Sequence, residues 1–226
     1  MDKSFAIAID GPAGSGKSTV AKIVSKKLNM VYIDTGAMYR TVALFCINNG
    51  VDTTDKVKVG EILPKINIEI KLEEGLQKIF LDGDDVTNKI RTQEVGQGAS
   101  DVGVILSVRE KLVELQRELA KGTTVIMDGR DIGTNVLPKA EIKIYLDASV
   151  EERSRRRLGE LVQNGIEASF GEVKEQIKIR DKNDMTRKHN PLKKAEDAVE
   201  VDSTDMSIDE VVARIIEIKK DKLGDK

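Results

Sequence analysis

Residues 5–18 read Phe-Ala-Ile-Ala-Ile-Asp-Gly-Pro-Ala-Gly-Ser-Gly-Lys-Ser, and apolar residues then recur at Val20, Ile23, Val24 and Leu28. The first five residues form an apolar run stopped by Asp-Gly-Pro, the pattern of a short strand buried on both faces, whereas the later spacing is helical. Between strand and helix lies G-x-x-x-x-G-K-S: Gly11, Pro12, Ala13, Gly14, Ser15, Gly16, Lys17 and Ser18. Such a loop needs its glycines because it wraps so tightly that successive backbone N–H groups point inward at one phosphate. Lys17 would then reach the β- and γ-phosphates of a nucleotide, Ser18 would offer its hydroxyl to Mg²⁺, and Thr19 would touch the α-phosphate at the positive end of the helix. A glycine-rich turn without a ligand is the competing interpretation, and the strand before and helix after favour the phosphate cradle. An ATP-dependent kinase is the expected use of that cradle, but the motif is silent about the acceptor.

Four later apolar runs resemble the first. Residues 31–33 precede Asp34, and residues 125–127, 142–146 and 199–201 each end at an Asp and lead into a helix-competent stretch. Strands alternating with helices at these spacings predict an α/β fold, a doubly wound parallel β-sheet with helices on both faces and ligands at the strands' carboxyl ends. Two stretches break the alternation. Within 57–91 a short helix is followed by strands at 68–72 and 78–82 around Glu73-Glu74-Gly75, which predicts a small antiparallel insert. Residues 149–191 are almost all charged helix, broken at Asn164-Gly165 and ended at His189-Asn190-Pro191, which predicts a helical lid. Segments 1–56, 92–148 and 192–226 are left as the core of a single domain, the size that 226 residues suit.

With 39% hydrophobic and 34% charged residues the chain should fold, and a formal net charge of −2 argues against a general nucleic-acid binder, which needs a basic footprint. One cysteine, Cys46, excludes an internal disulfide, and one histidine, His189, leaves no His/Cys cluster for zinc. Cys46 reads as a small core residue and His189 as a surface turn residue. Met1-Asp2-Lys3-Ser4 runs straight into the first strand without a signal-peptide pattern, and no apolar run has membrane length. A cytoplasmic monomer is expected, with small-molecule partners and neither nucleic acid nor membrane among them.

Three clusters suggest an acceptor side. Asp34-Thr35-Gly36-Ala37-Met38-Tyr39-Arg40 opens a helix, with Thr35 as predicted N-cap and Tyr39 and Arg40 in the first turns, where an anion can bind. Taken alone, Tyr39 as core and Arg40 as solvated charge is the simpler interpretation. Asp128-Gly129-Arg130-Asp131 lies at the carboxyl end of the 125–127 strand; Asp128 either holds a magnesium-bound water or caps the following turn. Val173, Ile177, Arg180, Asp184 and Arg187 recur at four-three-four-three spacing, a helix face that begins apolar and turns ionic. Because unpaired buried charge is costly, that ionic end either faces solvent or lines a cleft with an anionic ligand. Arg153, Arg155, Arg156 and Arg157 fit a solvated helix face, a nucleic-acid contact or a lid over polyphosphate. Asp181-Lys-Asn-Asp184 lacks the leading Asn of a guanine reader and falls mid-helix, which counts against a GTPase.

Together, the phosphate loop, Asp34-Thr-Gly-Ala-Met-Tyr-Arg40, Ile90-Arg-Thr-Gln-Glu-Val95, Val108-Arg109-Glu110, Asp128-Gly-Arg-Asp-Ile-Gly-Thr134, Ile144-Tyr-Leu-Asp147 and Ile179-Arg-Asp181 resemble the bacterial cytidylate kinase family from the first strand to the last helix. The resemblance implies the P-loop NTPase fold, a monophosphate-binding insert at 57–91, and transfer of the γ-phosphoryl group of ATP to CMP or dCMP with Mg²⁺. Kinases of UMP or AMP share the loop and sheet, and an ATP-gated nucleic-acid-binding switch is the non-enzymatic alternative. Residue roles follow from the resemblance as well. Thr35, Arg109, Asp131 and Arg187 fall where cytosine is contacted, Arg180 and Asp184 where the ribose is held, and Tyr39, Arg40 and Arg130 where the acceptor phosphate is held. Arg153, Arg156 and Arg157 fall in the lid, so that Lys17, Arg130, Arg153 and Arg157 are the residues expected to act on the transferring group. Cytosine's exocyclic amine needs an acceptor, which Asp131 can supply, whereas uracil presents a carbonyl there; CMP and dCMP are therefore expected over UMP.

Overall fold

The five apolar runs fold as one parallel sheet. A computed structural model of the chain describes residues 4–73, 76–163 and 165–224, so Met1 to Lys3, Glu74 and Gly75 of the predicted hairpin turn, Asn164, Asp225 and Lys226 lie outside the described residues. In chain order the elements are β1 (Ala6–Asp10), α1 (Lys17–Lys27), β2 (Val31–Asp34), α2 (Thr35–Asn48), α3 (Lys56–Ile62), β3 (Ile68–Glu73), β4 (Leu76–Leu81), β5 (Asp84–Asp85), α4 (Gln93–Val102), α5 (Leu106–Ala120), β6 (Val125–Gly129), β7 (Ile142–Asp147), α6 (Val150–Gln163), α7 (Phe170–Thr186), β8 (Val199–Asp202) and α8 (Ile208–Leu223). The main sheet has the order β2-β6-β1-β7-β8, with β1 at its centre and every pairing parallel.

Alternation along β1 shows why both faces must be covered. Ala8 packs with Ile33, Met127 and the apolar sides of α2 and α5, while Ile7 and Ile9 pack on the other face with Ile126, Ile144, Val24 of α1 and Ile215 of α8. All three β1 residues are fully buried, as a period-two strand between two helical layers requires. Register then decides what meets at the carboxyl edge: Asp34 pairs with Asp128, and Asp10 with Gly129. Three carboxylates thus lie at or one residue before the ends of three adjacent strands.

The predicted insert is an antiparallel sheet of order β3-β4-β5, with β5 an addition to the two predicted strands. Its Ile79 and Leu81 join the same core as α2 and α5. Gln77 of β4 clamps the end of β2, its Oε1 accepting from Asp34 N at 2.7 Å and its Nε2 donating to Asp34 O at 3.3 Å. Helices α6 and α7 share a small apolar cluster of Leu161, Val173 and Ile177. A capping box at Ser169 and Glu172 starts α7, which ends at Thr186, ahead of the predicted His189-Asn190-Pro191 stop. Cys46 is buried in the core as expected. Among the described residues no helix is long and apolar enough to cross a membrane.

Candidate active site

The loop between β1 and α1 is built on glycines with no room for a side chain or with positive φ. A Cβ on Gly11 would stand 2.0 Å from the Leu146 carbonyl oxygen, and Gly14 and Gly16 have φ of 78° and 87°. Gly16 precedes α1 without a side-chain cap, leaving the helix's first N–H groups open to an anion. Inside the loop the Lys17 ammonium donates to Pro12 O at 2.5 Å and to Ser15 Oγ at 3.1 Å. Burial, and then Arg130, hold the Lys17 ammonium well below its ordinary pKa, so an anion reaching it is welcome.

Asp128 sits behind this loop. Its carboxylate accepts from Ser18 Oγ and from the Tyr32 hydroxyl, each at 2.8 Å. Burial, with Asp34 adding to it, raises Asp128 to about 6, and burial raises Tyr32 as well. Both carboxylate oxygens are thereby engaged toward the phosphate loop and the neighbouring strand, and among the described residues no N–H of the following turn donates to them. The helix start beside it also differs from expectation. Asp34, not Thr35, caps α2, because its carboxylate reaches the Ala37 N–H at 2.9 Å; Thr35 is the first helical residue and its hydroxyl donates to Asp128 O at 2.7 Å.

A cavity of about 1310 Å³ joins this loop to the acceptor side, larger than the roughly 300–1,000 Å³ of a pocket for one small ligand. Lys17, Ser18 and Thr19 line one part of it, and Thr35, Tyr39, Arg40, Arg109, Arg130, Asp131, Arg180, Asp184 and Arg187 another. The ionic end of the α7 face therefore lines a cleft. In its wall Asp131 accepts from Arg109 at 2.6 Å, from Arg187 at 3.0 Å and from Asn135 Nδ2 at 3.0 Å. An ionised carboxylate has about four lone-pair sites, which leaves one acceptor position for a ligand. Arg109 also lies 5.8 Å from the centre of the Tyr39 ring, whose hydroxyl burial pushes up to about 12.

Nearer the phosphate loop, Arg130 Nε donates to Asp184 at 2.8 Å. Burial opposes the Asp184 carboxylate, yet Arg130 and Arg180 hold it below its ordinary range. Arg180 is lowered to about 10 by burial and by Arg130, and its buried Nε has no hydrogen-bond partner among the described residues. Cations crowded together with a free donor are a site that an anion completes.

The basic run on α6 is divided by the structure. Arg157 lines the cavity and pairs with Glu160 at 2.9 Å; Arg155 is exposed and pairs with Glu152; Arg156 pairs with Glu152 and donates to Ser203 O at 2.6 Å. Arg153, expected to act on the transferring group, is buried beside the phosphate loop and is not among the residues lining the cavity. Its guanidinium donates to Ala148 O, to Ala13 O at 3.1 Å and to Asp181 at 2.6 Å, holding the phosphate loop against α7. Long reach and five donors let an arginine serve backbone as readily as phosphate. Residues of α4, including Gln97 and Ser100, also line the cavity, as do Asp34 and Arg91, and Asn135 supports Asp131 from within a short π-helical turn, Ile132–Val136. The signal for Asn135 was only its position four residues after Asp131, the spacing of one helical turn.

Residues 7–221 match the family model described as cytidylate kinase. The chain is 53% identical over 216 residues to a cytidylate kinase of Caldicellulosiruptor bescii, covering 96% of both chains, and 49% identical over 222 residues to one of Bacillus subtilis, covering 98% of this chain and 99% of that one. Among solved structures, an uncharacterized protein from Eubacterium ventriosum ATCC 27560 superposes with a TM-score of 0.53 at 14% identity, covering 97% of this chain and 99% of that one, a likeness of fold alone. A phosphate loop and an arginine-paired carboxylate facing one cavity, together with near-full-length identity at about half of all positions, place this chain in the cytidylate kinase family.

Proposed function

We propose that the protein transfers the γ-phosphoryl group of ATP to CMP or dCMP, giving CDP or dCDP and ADP. One observation carries the reading: Asp131, with a single acceptor position left, opens into the same cavity as Lys17. The 4-amino group of cytosine can donate to that position, whereas the 4-oxo group of uracil would oppose it with a lone pair. Thr35, Arg109 and Arg187 frame the base in this reading, Arg180 and Asp184 take the ribose, and Tyr39, Arg40 and Arg130 take the acceptor phosphate. The nucleophile is already formed, since a phosphate monoester is largely dianionic above its second pKa of about 6, and no general base is required. Chemistry then reduces to holding two polyanions in line, which Lys17, Arg130 and Arg157 do by neutralising charge, while residues 149–191 act as a lid that keeps out water.

Magnesium fits the site. Ser18 offers a hydroxyl 2.8 Å from the buried Asp128 carboxylate, and Mg²⁺ is usually held by one or two such groups, retained waters and substrate phosphates. Among the described residues no group of three acidic, His or Cys side chains forms a complete protein cage. When bound with ATP the ion supplies charge neutralisation across the β- and γ-phosphates.

A coupled assay for ADP with CMP, dCMP, UMP and AMP tests the reading, and CMP turnover no higher than the blank without acceptor would sink it. Asp131→Ala is expected to weaken CMP about a hundred-fold while ATP affinity stays within about two-fold, as loss of a buried hydrogen-bonding partner predicts. Isothermal titration with each nucleotide separates the two effects.

A further inference from the structure

Asp10, the last residue of β1, is 4% exposed and faces no cation within ion-pairing distance among the described residues. Its two carboxylate oxygens are spent on backbone instead: Oδ1 accepts from Ile132 N and Oδ2 from Gly133 N, both at 2.7 Å. Those are the two amides that follow Asp131 at the start of the π-helical turn. Asp131 itself sits at φ −145°, ψ 30°, outside regular helix geometry, and its own side chain does not cap the turn. The backbone that aims Asp131 is therefore held from across the sheet by a carboxylate 121 positions earlier in the chain. A buried carboxylate is an expensive way to end a core strand. Burial lifts Asp10 to about 6 against the help of the two amides, so its charge comes at a cost to the fold.

We propose that Asp10 is a positioning residue for acceptor-base selection: by accepting from the Ile132 and Gly133 amides it sets the direction in which Asp131 meets the base. The strand that leads into the donor loop thereby also sets the acceptor preference. The inference rests on the reading of Asp131 as the group that meets the cytosine amine.

Asp10→Asn is the informative variant. One amide oxygen can accept from one N–H, but the Asn NH₂ opposes the other donor, so the turn loses one of its two tethers in nearly unchanged volume. The quantity to measure is the ratio of kcat/KM for CMP to that for UMP, on wild type, Asp10→Asn, Asp131→Asn and the double variant. That ratio does not depend on how much of a preparation is folded, and any effect of Asp10 on Lys17 or on ATP cancels from it. Asp10→Asn is expected to lower the ratio about ten-fold, in keeping with the sensitivity of bound geometry to small displacements. The double variant is expected to be no less selective than Asp131→Asn alone, because Asp10 acts through Asp131. An unchanged ratio in Asp10→Asn, beside a lowered one in Asp131→Asn, overturns the inference and leaves the base-reading role standing. An unchanged ratio in Asp131→Asn defeats that role first. Wild-type protein supplies a second test that needs no variant: amide hydrogen exchange at Ile132 and Gly133 should slow further with CMP than with UMP, and exchange indifferent to CMP overturns the inference.

Discussion

At the scale of single residues, Asp128 shows how the site and the fold make opposite demands. Burial foremost, and Asp34 next, lift its carboxyl from an ordinary 3.8 to about 6, against Lys17, Ser18 and Tyr32. A folded-state pKa above the unfolded one means that the folded protein holds the proton more tightly, so this group's contribution to stability is fullest below about pH 4 and is lost as pH rises through about 6. Asp128→Asn removes that charge while leaving a group that can still bond with Ser18 and Tyr32. It should be more stable than wild type at pH 7.5 by about 1–3 kcal/mol, with the advantage shrinking as pH falls from 6 towards 4, and should lose turnover. Thermal unfolding at pH 7.5 and pH 4.5 checks the first part; a variant less stable at both pH values contradicts it. Lys17 and Ser18 were legible because a glycine-rich loop between strand and helix is a local pattern. Asp10 and Asn135 were not. Asp10 meets its partners across 122 positions, and a carboxylate after a strand has no pattern that says which amides it will find.

At the scale of elements, Arg153 is the tie between α6, α7 and the phosphate loop. Its side chain is 5% exposed and that of Asp181 11%, and Asp181 Oδ1 already lacks a partner among the described residues. Removing the guanidinium leaves a carboxylate that burial has already pushed above its ordinary range. Arg153→Ala is therefore expected to cost about 3 kcal/mol in urea unfolding, far more than the exposed Arg155→Ala, which should fall within about 0.5 kcal/mol of wild type. Equal effects would place Arg153 in solvent contact, contrary to the geometry. The run of arginines had looked uniform in sequence, since helical periodicity distributes four neighbours around the axis without saying what each direction meets. Burial of Ser154 beside Arg153, against exposure of Arg155, is set by the packing of α6 on α7.

At the scale of the whole molecule, the proposed function seats donor and acceptor in one cavity, and binding there is linked to stability. CMP at a hundred times its Kd should stabilise the protein by about 2.7 kcal/mol, and AMP at the same concentration by much less. Scanning fluorimetry over a nucleotide series reads this directly, and equal shifts for CMP and AMP would count against base selection by Asp131. The alternation of apolar runs with helical stretches was enough to anticipate a parallel sheet, and the broken alternation was enough to mark the insert, because strand and helix periods are properties of a few neighbouring residues. The phosphate loop belongs to the same class. Its glycines, lysine and serine state their task within eight positions. What those patterns could not contain is the order β2-β6-β1-β7-β8, which pairs Asp34 with Asp128, sets Asp10 beside Gly129 and brings the 131–133 turn over β1. Sequence alone was enough to expect a phosphate cradle at the end of the first strand. Only the tertiary structure decided that the same strand end holds the turn presenting Asp131, because strand order and register depend on which buried faces pack together and not on any local run of residues.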